Sequence, residues 1–343
     1  MSFMHTVWKE RTAIIHASHM AIIYGMLDTW SRCRKLGKIP EEPDFVAGLV
    51  LESAPLIYYA LRTILGPYKI DVSVASIFCH QTPKVTYPGT AKPCELGDLL
   101  FVHAHTNVTG HVQRNALLYQ AKKSSKQPYV VHKKEQHQLA LYKDWPQFTY
   151  ESPQILYGKT RDVEPKMPHA GAQYMLIDDR PPDNPQSGLL CLPNTYPIGS
   201  CMADKYLHDH SHLAAELLDL LRFHSGKAFE GKASMKPTDG WSNLVWDLID
   251  TGINKGFNRK NSGRFNSPRY AGGSIYLDGA SFTMATHMAA ASTATLVLGD
   301  SSAGKFFGPP VHYPPTDNFP QDENYERDSG ASIVLIETKE TSG

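Results

Sequence analysis

Short stretches in which apolar and polar residues alternate are separated along this chain by longer stretches with helical spacing. KIDVSVASIFCH (69–80) is β-branched and alternating, which predicts a strand. GDLLFVHAHT (97–106) and VQRNALLYQAKK (112–123) predict two more, with Thr109–Gly110 between them as the turn. GAQYMLID (171–178) predicts a fourth. Residues 6–36 read as helical, and GKIPEEPD (37–44) breaks the chain, with Asp44 placed to cap the next helix. That helix, FVAGLVLESAPLIYYALRTIL (45–65), is apolar on most sides and is therefore expected to be central, with a kink at Pro55. HKKEQHQLALYKDW (132–145) predicts a helix that Pro146 stops, and RPPDNPQSG (180–188) is a turn-rich linker. Helices near 205–224 and 241–256 are expected beyond it, then strands at 294–299 and 332–337. No internal repeat and no low-complexity tract interrupts this order.

The side chains at the end of 112–123 carry a chemical question. On a strand, Leu118, Gln120 and Lys122 share one face, and Leu117, Tyr119 and Ala121 the other. A buried face thus continues into a glutamine and a lysine. An unpartnered buried lysine is costly, so an anion is expected beside it. A hairpin centred on residue 109 puts Asp98 opposite Gln120, with cross-strand neighbours about 5 Å apart. A slip of one residue would undo this pairing. A carboxylate, amide or backbone oxygens and a lysine at one sheet edge suit Mg²⁺ or Mn²⁺ and a phosphodiester. The lysine would then stabilise the negative transition state or orient the attacking water.

Composition narrows the class. In 343 residues, 41% are hydrophobic and 20% charged, enough for a folded core, and Lys+Arg and Asp+Glu balance at 34 each. The balance argues against a simple basic nucleic-acid coat but leaves room for a local basic groove. Five cysteines, Cys33, Cys79, Cys94, Cys191 and Cys201, show no C-x-x-C pair. A zinc ribbon, a disulfide framework and a cysteine-ligated iron–sulfur cluster are not expected, and a reducing compartment is. AIIHASHMAIIYGML (13–27) reads as an amphipathic helix rather than a signal peptide. No run reaches the roughly 18 uninterrupted apolar residues of a membrane span, so a cytoplasmic protein is expected.

Gly97-Asp98 followed by Gln120-Ala121-Lys122 resembles the PD-(D/E)xK, or restriction-endonuclease-like, nuclease superfamily. The family's αβββαβ core order is similar to the order predicted over 44–178. Gln138-Leu139-Ala140-Leu141-Tyr142 is similar to the Q-h-x-x-Y motif of the RecB-like branch. The resemblance implies an α/β fold with a mixed central sheet. It divides the chain into an N-terminal helical segment (1–40), a nuclease core (41–180) and a mixed accessory region (185–343). It implies a metal-dependent nuclease, with DNA as the expected substrate, in a setting such as bacterial defence or DNA repair. Asp98, Gln120, the Ala121 carbonyl and Glu52, on the first core helix, would hold Mg²⁺ or Mn²⁺. Lys122 would act on the reacting phosphate, and Gln138 and Tyr142 would shape the site. The family usually has Glu or Asp where Gln120 stands, which lowers the site's charge and raises an alternative, a catalytically inactive module that binds nucleic acid or a protein. By analogy, a nuclease of this kind needs a gating or activating partner, and a homo-oligomer is compatible with the chain.

Two basic stretches are candidate phosphate contacts. One holds Lys122, Lys123, Lys126, Lys133 and Lys134; the other holds Lys255, Arg259, Lys260, Arg264 and Arg269, with Phe257 and Phe265 interleaved. Three further signals compete. VLGDSSAGKFFGPP (297–310) fits G-x-x-x-x-G-K but has Phe306 where a P-loop needs Ser or Thr, and Pro309-Pro310 stops the helix. His208, His210 and His212 offer zinc ligands without H-E-x-x-H, and a cap at Asp209 or Ser211 is the plainer expectation. Glu337-Thr338-Lys339 is a second E-x-K with too little chain after it for a helix and strand.

Overall fold

The computed structural model describes residues 2–78, 83–90, 92–164, 166, 171–190, 196–254, 274–277, 282–285 and 331–342. Helices α1 (Phe3–Lys9) and α2 (Arg11–Lys35) open the chain, as the spacing over 6–36 predicts. The central apolar helix is built from α3 (Glu42–Gly48), a π-helical turn (Leu49–Ser53) and α4 (Ala54–Leu65). Pro55 has no N–H for the helix ladder, and the widened turn directly before it absorbs that loss, so the expected kink takes the form of a π turn. The helix begins before residue 45, and Asp44 lies inside its first turn, where its carboxylate accepts the Glu41 N–H at 2.8 Å. Among the described residues this helix, Glu42–Tyr68, alone has the length and apolarity to cross a membrane, and 67% of its apolar window is buried inside the protein. α2 crosses it through facing glycines. A Cβ on Gly25 would lie 2.7 Å from the Gly48 carbonyl oxygen, and one on Gly48 equally close to that of Gly25.

The strands predicted from alternation form, β3 over its full predicted range and the other three with shorter ends: β1 (Ile70–Ile77), β2 (Leu99–Thr106), β3 (Val112–Lys123) and β4 (Ala172–Ile177). Helix α5 (Gln136–Asp144) lies between β3 and β4 and ends at Trp145, which takes a left-handed conformation just before Pro146. β5 (Ile198–Cys201), β6 (Asp209–His212), α6 (Leu213–Leu221), α7 (Gly240–Asn254), β7 (Ser274–Leu277), β8 (Phe282–Ala285) and β9 (Ser332–Glu340) follow. The main sheet runs β6-β5-β4-β3-β2-β9-β1-β7-β8, with Lys227–Ala228 also pairing β3. It is mixed: β9 runs parallel to β2 and β4 parallel to β3, and the other pairs are antiparallel. One apolar face (Leu99, Phe101, Leu117, Tyr119) packs on α2, α4 and α6. The other (Leu100, Val102, Ala116, Leu118) packs on α5, α7 and a small sheet around Tyr150. The protein is thus a three-layered mixed α/β fold with a mixed central sheet.

Three expectations change. The region 185–343 is woven into the sheet, because β9 lies between β1 and β2 and β5 extends the edge beyond β4. The helix expected over 205–224 is only α6; Asp209–His212 is drawn instead into an edge strand on β5. The α6 cap is His212, whose Nδ1 accepts the Ala215 N–H at 3.3 Å, rather than Asp209 or Ser211. The predicted strand 294–299 lies outside the described residues. Cys33, Cys94 and Cys201 are buried, and Cys79 and Cys191 lie outside the described residues.

β9 is joined to its parallel neighbour by a polar seam as well as by the ladder. The Thr338 hydroxyl lies 3.0 Å from both His103 Nε2 and His105 Nδ1. The Phe3 ring stacks on His105 at 3.9 Å between centroids, and the Phe3 N–H donates to Glu340 Oε1 at 3.1 Å. Burial pushes the His103 imidazole down to about 3, so this ring stays neutral. Thr338→Val removes the shared partner from both rings while keeping the strand's shape. Denaturant unfolding of this variant should show a loss of about 1–3 kcal/mol relative to wild type.

Candidate functional site

The β2–β3 hairpin has the register that the alternation predicts. Leu99 pairs with Tyr119 and Thr106 with Val112 around a turn at Gly110, whose φ is 82°. The Asp98 N–H extends the ladder to the Tyr119 carbonyl at 2.8 Å, so Asp98 stands across from Gln120. Directly before it, Gly97 is required by packing. A Cβ there would lie 2.7 Å from Leu118 Cδ1 and 2.8 Å from the Tyr142 hydroxyl oxygen. That hydroxyl donates to the Leu96 carbonyl at 2.8 Å, which pins α5 to the start of β2.

Around Asp98 a continuous polar network forms. Asp98 Oδ2 accepts the Ala121 N–H at 2.8 Å and the side-chain amide of Gln120. Gln120 Oε1 accepts from Gln138 Nε2 at 3.3 Å, and Gln138 Oε1 accepts from Lys122 Nζ, also at 3.3 Å. Lys122 is buried and forms an ion pair with Glu135 at 3.1 Å. Glu135 is held in turn by the Tyr129 hydroxyl at 2.9 Å and the His132 N–H at 3.2 Å. Glu42, near the start of α3, accepts the Lys123 N–H at 3.1 Å.

The electrostatics follow from this crowding. Asp98 keeps partial access to solvent, yet protein atoms surround it closely. Desolvation pushes its carboxyl up to about 8, with Glu95 and Glu42 adding to the push and the Ala121 N–H and Lys122 opposing it. Glu42 is likewise raised, first by burial, against the pull of Lys122. Burial works against the charge of Lys122, but Glu42, Glu135 and Asp98 outweigh it, and its pKa lies above the usual lysine value. The ammonium therefore stays charged at neutral pH and acts as a fixed positive charge rather than a base.

Of the candidate residues, Asp98, Gln120, Ala121, Lys122 and Gln138 converge, with Tyr142 behind them. Glu52 does not join them. It sits on the π turn and is bonded to Arg32 of α2, which also pairs with Asp28. The glutamate that the first core helix brings to this network is Glu42, because the start of that helix approaches the end of β3. Glu42 lies in the EEPD segment, which reads as a chain break, and Glu135 in a basic first turn that reads as solvated. Paired acids at the start of the central helix were the available signal for Glu42.

The other candidates are placed as follows. Lys123 is not free for phosphate, since its ammonium donates to the Pro40 carbonyl at 2.8 Å. Lys126, Lys133 and Lys134 are exposed just beyond β3. Lys255, Arg259, Lys260, Arg264, Arg269, Phe257, Phe265 and the stretch 297–310 lie outside the described residues. His212 stacks on Tyr196, and His210 lies 3.3 Å from Glu216. Among the described residues, no three His, Cys, Asp or Glu side chains are grouped to hold a metal ion by themselves. Glu337, on the buried strand β9, is pushed up to about 7 by burial against the influence of Arg114, and Lys339 is exposed.

Asp98 has a measurable signature. The unfolded chain releases this proton near 3.8 and the folded protein only near 8, so wild-type stability from this group falls as pH rises between those values. Asp98→Asn removes the effect. Its melting temperature should match wild type near pH 4 and exceed it by several degrees near pH 8, in thermal melts followed by circular dichroism.

Compared with known proteins, the chain matches no family model, no curated protein and no solved structure.

Proposed function

We propose that this protein is a metal-dependent nuclease that hydrolyses phosphodiester bonds in nucleic acid, with DNA favoured by the resemblance. The observation that carries the reading is the convergence of Asp98, Gln120 and Lys122 from one hairpin with Gln138 from the following helix. The element order supports it: helix, three strands, helix, strand, with β9 inserted from the C-terminal part of the chain. The donors suit the ion. The Asp98 and Glu42 carboxylates, the Ala121 carbonyl and the Gln120 amide oxygen are hard oxygen ligands, the kind Mg²⁺ and Mn²⁺ take while keeping several waters. Burial raises both carboxyls, with Glu95 and Glu42 pushing Asp98 further, so each holds its proton more tightly than usual and a bound cation would take that proton's place. When bound, such an ion polarises the phosphodiester and acidifies water.

The chain's own residues do the rest. Lys122, kept charged by three acids, stabilises negative charge developing on the phosphate. Glu135 holds its ammonium in place. Tyr142 fixes α5 against β2. Lys126, Lys133 and Lys134, exposed beside the site, contact the phosphate backbone. A second reading, an inactive module that binds nucleic acid or a protein partner, is favoured by one feature. Gln120 turns its amide nitrogen, not its oxygen, to Asp98.

Cleavage of supercoiled and linear DNA with Mg²⁺ or Mn²⁺ separates the two. Wild type should cut, and identically prepared Lys122→Ala should cut at least about a hundredfold more slowly while remaining folded. Equal cutting by both proteins would remove this site from the chemistry. DNA bound in a gel shift but left uncut by wild type would favour the binding module.

A further inference from the structure

The amides of Gln120 and Gln138 stand in line between the Lys122 ammonium and the Asp98 carboxyl. At one end, the Lys122 ammonium can only donate, and it faces Gln138 Oε1 at 3.3 Å. Gln138 must then offer its Nε2 to Gln120, which accepts with Oε1 at 3.3 Å. Gln120 is left with its own Nε2 for Asp98 Oδ2, an oxygen that already accepts the Ala121 N–H. The donor-only Lys122 end therefore sets both amide orientations, and neither amide can turn alone without opposing two donors or two acceptors.

A cation beside Asp98 changes one end. It takes oxygen ligands, so an amide N–H directed at it is unfavourable. Gln120 has to present Oε1, which turns its Nε2 towards Gln138. Gln138 has to accept with its own Oε1, and its Nε2 then faces the Lys122 ammonium, donor against donor. The Lys122–Gln138 bond is lost, and Lys122 remains on Glu135 at 3.1 Å. We propose that Gln138 is a positioning residue. Through the paired turn of two amides it makes cation binding at Asp98 release Lys122 towards the substrate phosphate. This rests on the metal-dependent reading given above. A carboxylate at position 120 would have two equivalent oxygens and need no such turn, so the coupling belongs to the glutamine that departs from the family pattern.

The coupling is tested on the full chain by Mn²⁺ titration calorimetry and by side-chain amide nuclear magnetic resonance with Mg²⁺. Gln138→Met has no donor to hold Gln120 Oε1, and Gln138→Glu has only acceptors. Both should bind Mn²⁺ more tightly than wild type, Gln138→Met by about fivefold to tenfold, the worth of one neutral hydrogen bond. A gain is the informative direction, since structural damage would weaken binding. In wild type, Mg²⁺ should shift the side-chain NH₂ signals of Gln120 and Gln138 together, a measurement that stands even if a variant does not fold. Mn²⁺ binding that Asp98→Asn abolishes, but that both folded Gln138 variants leave unchanged or weaken, would overturn the coupling alone. So would a Gln138 signal that stays fixed while that of Gln120 moves. Absence of any Asp98-dependent Mn²⁺ binding would overturn the metal reading and the coupling with it.

Discussion

A lysine ammonium held inside a protein at the end of a strand has to be compensated by acids brought to it from elsewhere. At Lys122 the compensation comes from three directions. Glu42 arrives with the start of α3, Glu135 with the turn before α5, and Asp98 with the strand alongside. Each of these carboxylates is itself crowded, so none is comfortable without the lysine. Removing Glu135, which pairs directly with the ammonium, would leave that buried charge without its nearest compensation, which is far more costly than never having buried it. The helix start, the hairpin and the helix beyond it are therefore tied together by one electrostatic requirement.

The packing that meets this requirement is tight. α2 and α3 cross through facing glycines, which sets how closely the helix bearing Glu42 approaches α2. Gly97 leaves no room between Leu118 and Tyr142, and the Tyr142 hydroxyl reaches the Leu96 carbonyl, so α5 cannot drift from the strand that carries Asp98. The polar network is then closed within itself, from Asp98 through two amides to Lys122 and Glu135. Such a closed network of donors and acceptors has few alternative arrangements. A ligand that changes the character of one member therefore has consequences for the others.

The second constraint is topological. β9 lies between β1 and β2 and makes a parallel ladder with the latter, reinforced where Thr338 bridges His103 and His105. The hairpin that carries the site is thus supported on one side by β4 and on the other by a strand from the end of the described chain. Parallel pairing between segments so far apart in sequence closes a long loop before it gains any contact.

The residues of the hairpin were readable because period-two alternation and a glycine turn leave one register that buries the apolar face. That register puts Asp98 across from Gln120 and aligns Lys122 on the same face, and the spacing of Gln138 and Tyr142 on the next helix was equally local information. What lay beyond the sequence was every contact between elements distant along the chain. Glu52 is an acid in an apolar helix and looks like a site residue until Arg32 of α2 is found beside it. Glu42 and Glu135 lie in segments whose composition reads as solvated, and only the approach of the helix start and of the α5 turn to Lys122 brings them to the site. The segment 209–212 became an edge strand because β5 offered it a partner, and β9 entered the middle of the sheet because β1 and β2 left it a place. Local periodicity and turn chemistry determine which residues share a face, because those depend on neighbours in the chain. Which charges meet, and which strand lies between which, was decided by tertiary packing, because the partners are chosen by burial and compensation across the whole fold.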